Sequence, residues 1–264
     1  MKKVMIALLL FTGAGIFFLS CNKNNDNKNG KARLSVYLTD DPARYDEVNI
    51  DIREVKINVS DSANEQWINI PIKQGIYNLL QFRNGLDTLL GTIELPAGRV
   101  SQMRLILGPN NTLKEGNQIH ALQTPSAQQS GLKFKIQTVL DAGITYKLWI
   151  DFDAGRSIVK AGNSGKYILK PVIRTYTEAI SGGIRGIVLP TAADAWVYAI
   201  RGTNDTVASA KPDGTTGIFL IKGIAPDTYK LGIDANNNYL DSVISPVNVT
   251  LGNVTNVGTV TLRQ

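Results

Sequence analysis

Three aspartates, one histidine and three aromatic side chains have the types and spacing to do chemistry. Asp151 and Asp153 lie two apart where Leu148, Ile150 and Phe152 alternate with them. In a strand both carboxylates would share one face with Trp149. Paired carboxylates can hold Ca²⁺, exchange protons with a substrate, or form ion pairs. Arg156, Lys170 and Arg174 follow closely, so we read the pair as ion-paired, with Ca²⁺ binding and acid/base catalysis as the alternatives. Asp40 falls on an apolar phase just before Asp41-Pro42 and is read as closing a turn, with a metal or ligand role as the alternative. No metal site is assigned; Asp40, Asp151 and Asp153 are the candidate ligands if one exists. His120 is the only histidine, which excludes a two-histidine metal site, and it reads as a packed or edge side chain. Ser126 and Ser130-Gly131 form no nucleophile elbow, and no phosphate loop occurs. The expectation is a protein that is not an enzyme, with no catalytic residue and no cofactor. Trp196 and Tyr198 alternate with Val197 and share a strand face; with Tyr239 they are the candidate ligand-binding residues. Exposed aromatic rings stack on sugars; contact with the first domain across the hinge is the alternative.

The elements that must position these residues follow from composition and periodicity. The chain has 264 residues, 43% of them apolar and 19% charged, enough to bury a core. Glycine and β-branched residues are abundant and long helix-period stretches few, which predicts an all-β chain. One Cys excludes an intramolecular disulfide. The formal charge is +6. Removing Lys2 and Lys3 from the 28 basic side chains leaves 26 against 22 acidic ones. No basic run reaches three and no aromatic–basic reader motif occurs, so nucleic acid is not an expected partner. The surplus reads as spread over the surface, with an anionic polysaccharide or lipid headgroup as a weak partner.

Residues 1–20 carry an address. Met1-Lys2-Lys3 precedes the uncharged stretch Val4 to Leu19. Sixteen residues rise only about 24 Å as a helix, short of a roughly 30 Å hydrocarbon core, so a secretory signal is expected rather than a membrane span. Phe18-Leu19-Ser20-Cys21 resembles a bacterial lipobox, although Phe18 stands where Leu is usual. That resemblance implies lipidation of Cys21 and a membrane anchor. Residues 22–30 contain no apolar side chain, so 21–30 reads as a flexible lipidated tether.

Residues 31–178 read as a first domain of many short strands. Leu34, Val36 and Leu38 alternate, then Val48, Ile50 and Ile52; Val55, Ile57 and Val59 continue on the opposite parity. The flip at Arg53-Glu54 predicts a β-bulge or a break there. The turn signals between strands predict a sandwich of antiparallel sheets. Five motifs occur in order: Leu38 to Ala43 (LTDDPA), Leu95 to Gly98 (LPAG) with Arg104-Leu105, Ser130 to Lys133 (SGLK), Ile150 to Ala154 (IDFDA) with Arg156 to Val159, and Tyr167 to Arg174 (YILKPVIR). Together they resemble the family called domain of unknown function 4382, which implies a Greek-key β-sandwich and an envelope location but no activity. Asp41 departs from that family's pattern, where a small residue is usual.

After Ser181-Gly182-Gly183, residues 182–264 read as a second domain. Ala195, Val197 and Ala199 alternate with Trp196, Tyr198 and Ile200. Pro212-Asp213-Gly214 predicts a hairpin turn, and strands are expected at 217–221, 230–233, 247–251 and 257–262. The spacing resembles the carboxypeptidase-regulatory-like and collagen-adhesin B-type modules, with Asp227 in place of the usual Gly. It implies a seven-strand prealbumin-like sandwich serving as a stalk, spacer or binding unit. Together the resemblances imply a lipid-anchored protein of the bacterial outer membrane acting in adhesion or carbohydrate binding. Its expected partners are the membrane, through Cys21, and a polysaccharide or another surface protein. A structural subunit of a surface assembly and a carboxylate-dependent hydrolase are the alternatives.

Overall fold

In the computed structural model, which describes residues 30–61, 64–124, 131–162, 164–178 and 181–264, alternating apolar side chains become strands throughout. The first sandwich begins with β1 (Lys31–Thr39), β2 (Glu47–Asp61), β3 (Asn64–Ile70), β4 (Gly75–Asn78), β5 (Thr88–Pro96), β6 (Gly98–Leu107) and β7 (Thr112–Glu115). It continues with β8 (Gln118–Gln123), β9 (Leu132–Leu140), β10 (Thr145–Phe152), one short helix α1 (Ala154–Ser157), β11 (Ile158–Lys160), β12 (Tyr167–Leu169) and β13 (Ile173–Thr177). One sheet has the order β13-β10-β1-β5; the other, nine-stranded, runs β11-β12-β8-β7-β2-β6-β9, with β3 and β4 also paired to β2.

β2 organises the larger sheet because its 15 residues are long enough to pair with β3, β4, β6 and β7. Its pairing with β6 shifts register between Ile52 and Glu54. The sequence's change of phase is therefore a bulge, and it keeps Ile50 and Ile52 on one side of it, and Val55 and Ile57 on the other, all in the core. Leu38, Leu95, Met103, Leu105 and Phe152 fill the space between the sheets. Burying each such side chain contributes about 1.5–3 kcal/mol.

The antiparallel-only expectation is corrected: β1 pairs with β10 in parallel, as do β8 with β12 and, in the second sandwich, the first strand with the last. A parallel pair needs a long crossover, and between β1 and β10 that crossover is most of the larger sheet.

The second sandwich contains β14 (Gly182–Leu189), β15 (Trp196–Arg201), β16 (Asp205–Ala210), β17 (Ile218–Ile224), β18 (Asp227–Asp234), β19 (Ser242–Val249) and β20 (Val254–Thr261). Its sheets are β17-β14-β20 and β16-β15-β18-β19. They enclose a separate core that includes Ile184, Val197, Ala199, Phe219, Ile221, Leu231 and Ile233. Pro212-Asp213-Gly214 is not a hairpin turn, because β16 and β17 belong to different sheets. Asp213 Oδ1 instead accepts from the Thr215 and Thr216 N–H groups and the Thr216 hydroxyl, shaping a link that carries the chain across the sandwich. The sheet change follows from the core: Ala208 and Ala210 must face Phe219 and Ile221 from opposite sides.

The outer face of the four-stranded sheet carries two rows. Tyr37, Trp149 and Tyr176 are cross-strand neighbours, as are Thr39, Asp151 and Arg174. The three aromatic rings stack with centroids 5.3 and 5.4 Å apart. The second sandwich seats on this ladder through Gly223, whose φ is +71° and where a Cβ would lie 2.2 Å from a Tyr176 ring carbon. Only glycine meets both conditions.

Candidate functional site

Asp151 lies at the centre of the junction between the sandwiches. β10 places it beside Trp149, as its parity requires, and it is buried. Arg174, its neighbour on β13, donates from Nε to Asp151 Oδ2 at 2.6 Å. Its Nη1 and Nη2 donate at 3.2 Å to the carbonyls of Gly223 and Lys222 in the second sandwich. One guanidinium thus neutralises a buried acid and bridges the two cores. Lys222 Nζ returns a bond to Gly85 O, and Asn84 Nδ2 donates to Lys211 O.

Asp153 does not share the face of Asp151. It has left the strand and caps α1, accepting from Arg156 N at 2.8 Å through Oδ1 and from Arg156 Nε through Oδ2. The expectation of two carboxylates side by side on a strand is corrected because β10 ends at Phe152. Asp40 accepts from Ala154 N at 3.0 Å through Oδ1, which ties the end of β1 to the start of α1; its Oδ2 is buried without a hydrogen-bond partner. Asp41 uses both oxygens on Ser209 N, at 3.2 and 3.1 Å, a direct link to β16. Among the described residues no three His, Cys, Asp or Glu side chains converge as a metal ion would need.

Burial, more than their mutual charge, sets the proton affinities of Asp40, Asp41 and Asp151. Burial pushes the Asp40 carboxyl well above the usual carboxylate range; the Ala154 N–H opposes this, and the charges of Asp151, Asp41 and Asp153 add to it. Burial also raises Asp41, helped by Asp151 and opposed by Arg174. Asp151 is raised by burial against the pull of Arg174.

Beside this junction a cleft of about 490 Å³ opens between the sandwiches. Arg44, Tyr45, Glu115, Asp153 and Arg156 line it from the first, and Trp196, Tyr198 and Ser209 from the second. Trp196 is not an exposed platform: it is 6% exposed, and the Arg44 guanidinium and Lys211 ammonium lie 5.3 and 5.1 Å from its ring centre. Arg44 also pairs with Asp234 at 3.3 Å. Tyr198 is half-buried and lines the cleft, whereas Tyr239 does not; it packs against the second core. The three aromatics therefore form no common surface. Tyr45 takes the place of Tyr239, and its signal was its position right after the Asp40-Asp41-Pro42-Ala43 turn. The cleft carboxylates are engaged: Asp41 with Ser209, Asp153 with Arg156, and Glu115 Oε2 with the Tyr167 hydroxyl at 2.8 Å. His120 packs its ring 4.8 Å from that of Tyr167. Cys21 lies outside the described residues, and no described helix is long and apolar enough to cross a membrane.

The architecture defines an all-β protein of two joined sandwiches. The model of the family described as "Domain of unknown function (DUF4382)" matches residues 31–171, more than half of the chain, and the protein belongs to that family. The match stops short of β13, the strand that supplies Arg174. No curated protein matches the chain. Among solved structures, the Bacillus anthracis TIE protein is 11% identical over 89% of this chain and 35% of its own, with a TM-score of 0.27. The present chain thus spans about a third of that protein. GBS52, the minor pilin of Streptococcus agalactiae, is 9% identical over 87% of this chain and 95% of its own, with a TM-score of 0.24. Likenesses that distant assign no function.

Two outcomes follow from the junction. Arg174→Met strands Asp151 as a buried, unpaired charge, so stability falls by about 3–5 kcal/mol. The melting temperature then drops by roughly 10 °C. A shift under two degrees in a thermal melt would contradict the bridging role. Asp40 has a raised folded-state pKa, so the stability from its protonation is complete below the ordinary carboxylate value. That stability is lost as pH rises through the folded value. Between neutrality and about pH 4.5 the melting temperature is therefore expected to climb on acidification, and Asp40→Asn flattens the climb. Parallel pH profiles for the two proteins would refute this.

Proposed function

We propose that this is a non-catalytic, lipid-anchored protein of the bacterial cell envelope whose inter-sandwich cleft contacts carbohydrate. One observation carries the reading. The cleft is lined by Tyr45, Tyr198 and Trp196 with two arginines, while Asp41, Asp153 and Glu115 already accept hydrogen bonds from protein donors. A site of that make-up holds a sugar ring against aromatic surface and its hydroxyls against arginine. It lacks the free carboxylate pair that glycoside hydrolysis requires. The seven strands of the second sandwich, divided three and four, support the likeness to carboxypeptidase-regulatory-like modules. The anchor rests on Ser20-Cys21 after the apolar stretch.

A second reading, a rigid structural unit of a surface assembly, is favoured by Arg174 and Asp41, which fasten the sandwiches together. A glycan array separates the two. Protein lacking residues 1–21 should bind a subset of glycans, and Tyr198→Ala should weaken that binding by about tenfold, the loss of one stacking contact. Failure to retain any glycan would leave the structural reading. In the full chain, Cys21→Ser should abolish incorporation of labelled fatty acid and release the protein from membranes; unchanged fractionation would refute the anchor.

A further inference from the structure

Part of the positive charge, expected to be spread over the surface, lies together on one face of the first sandwich. Cross-strand pairing places Lys56, Arg104 and Lys133 in one row over β2, β6 and β9, and Asn58, Gln102 and Lys135 in the next. Arg99 extends the same face opposite Ser60. Neighbours lie about 5 Å apart across strands and about 7 Å apart along one. The partners of these pairs on the other parity, Ile57, Met103 and Phe134, pack in the core, so this face points away from it, with Asn58 buried across from Trp67. Lys56 is paired with Glu54. Arg99, Arg104, Lys133 and Lys135 form no ion pair among the described residues, and Arg99, Lys133 and Lys135 are exposed. Trp67 on β3 fixes Arg104, whose guanidinium carbon sits 4.3 Å from the ring centre.

We propose that this face binds an extended acidic polysaccharide. Four cations spread over two adjacent strands match a polymer of repeated negative charge better than a single phosphate or carboxylate. Trp67 is occupied by Arg104, so it is not offered to a nucleobase or to lipid. Gln102 and the exposed Asn69 add amide groups that bond hydroxyls. The Trp67–Arg104 stack holds one cation in place before binding, which lowers the ordering cost of capture. The face is separate from the cleft, and the proposal does not rest on the cleft's function.

The test measures retention of the purified protein on immobilised alginate at low salt, with neutral dextran as the reference. Lys133→Gln/Lys135→Gln is expected to weaken alginate binding by about tenfold, as two charge contacts of about 0.7 kcal/mol each would. Raising the salt to 0.5 M should abolish the difference. Lys166→Gln/Lys170→Gln, which removes the same charge elsewhere, should leave binding intact. The proposal is overturned if alginate is not retained, or if the Lys166/Lys170 variant loses as much. It is equally overturned if phosphatidylglycerol vesicles or a single-stranded oligonucleotide are bound more tightly than alginate. Melting curves of the Lys133/Lys135 variant are expected to match the parent, since both side chains are exposed.

Discussion

A carboxylate on the outer face of a sheet is ordinarily solvated. Asp151 is not, because a second sandwich has been set down on top of it. Once buried, the charge must be neutralised or it costs several kcal/mol. Arg174, next to it on β13, does this with one edge of its guanidinium. The fork has donors left over, and these reach the carbonyls of Lys222 and Gly223. The pair therefore explains the neighbourhood: the flat aromatic ladder beside it, the glycine that must pass over Tyr176, and the Asp41 carboxylate that receives β16. Burial of one acid and the joining of two cores are the same event.

Fixing the sandwiches at that junction creates the cleft. One wall is the β1–β2 connection with α1, and the other belongs to the second sandwich. Its aromatic residues come in unequal states. Trp196 is a structural ring held between two cations, whereas Tyr198 and Tyr45 are the ones a ligand could meet. The acids that line it, Asp41, Asp153 and Glu115, serve as caps and links to protein donors.

A different logic governs the far sheet. There the bulge in β2 keeps the apolar side chains on both sides of it turned inward. The polar remainder of β2 is then aligned with the cations of β6 and β9. The same periodicity that builds the core gathers the charge outside it.

Much of this was legible in the residues themselves. Alternation of Leu34, Val36 and Leu38, and the change of parity at Arg53-Glu54, dictated strands and an irregularity there, a bulge or a break, because a side chain in a strand can face only two ways. The ordered motifs beginning at Leu38-Thr39-Asp40 resembled the family whose model matches residues 31–171. The availability of Arg156 and Arg174 as partners for Asp153 and Asp151 could be read from proximity in sequence. What proximity could not give was which surfaces meet. The parallel pairing of β1 with β10, the passage of the chain between sheets at Pro212-Asp213-Gly214, the burial of Trp196 and the assembly of Lys133, Lys135, Arg99 and Arg104 on one face all involve residues brought together only by long-range pairing. Local periodicity determines which way a side chain points; what it points at is decided by the rest of the chain.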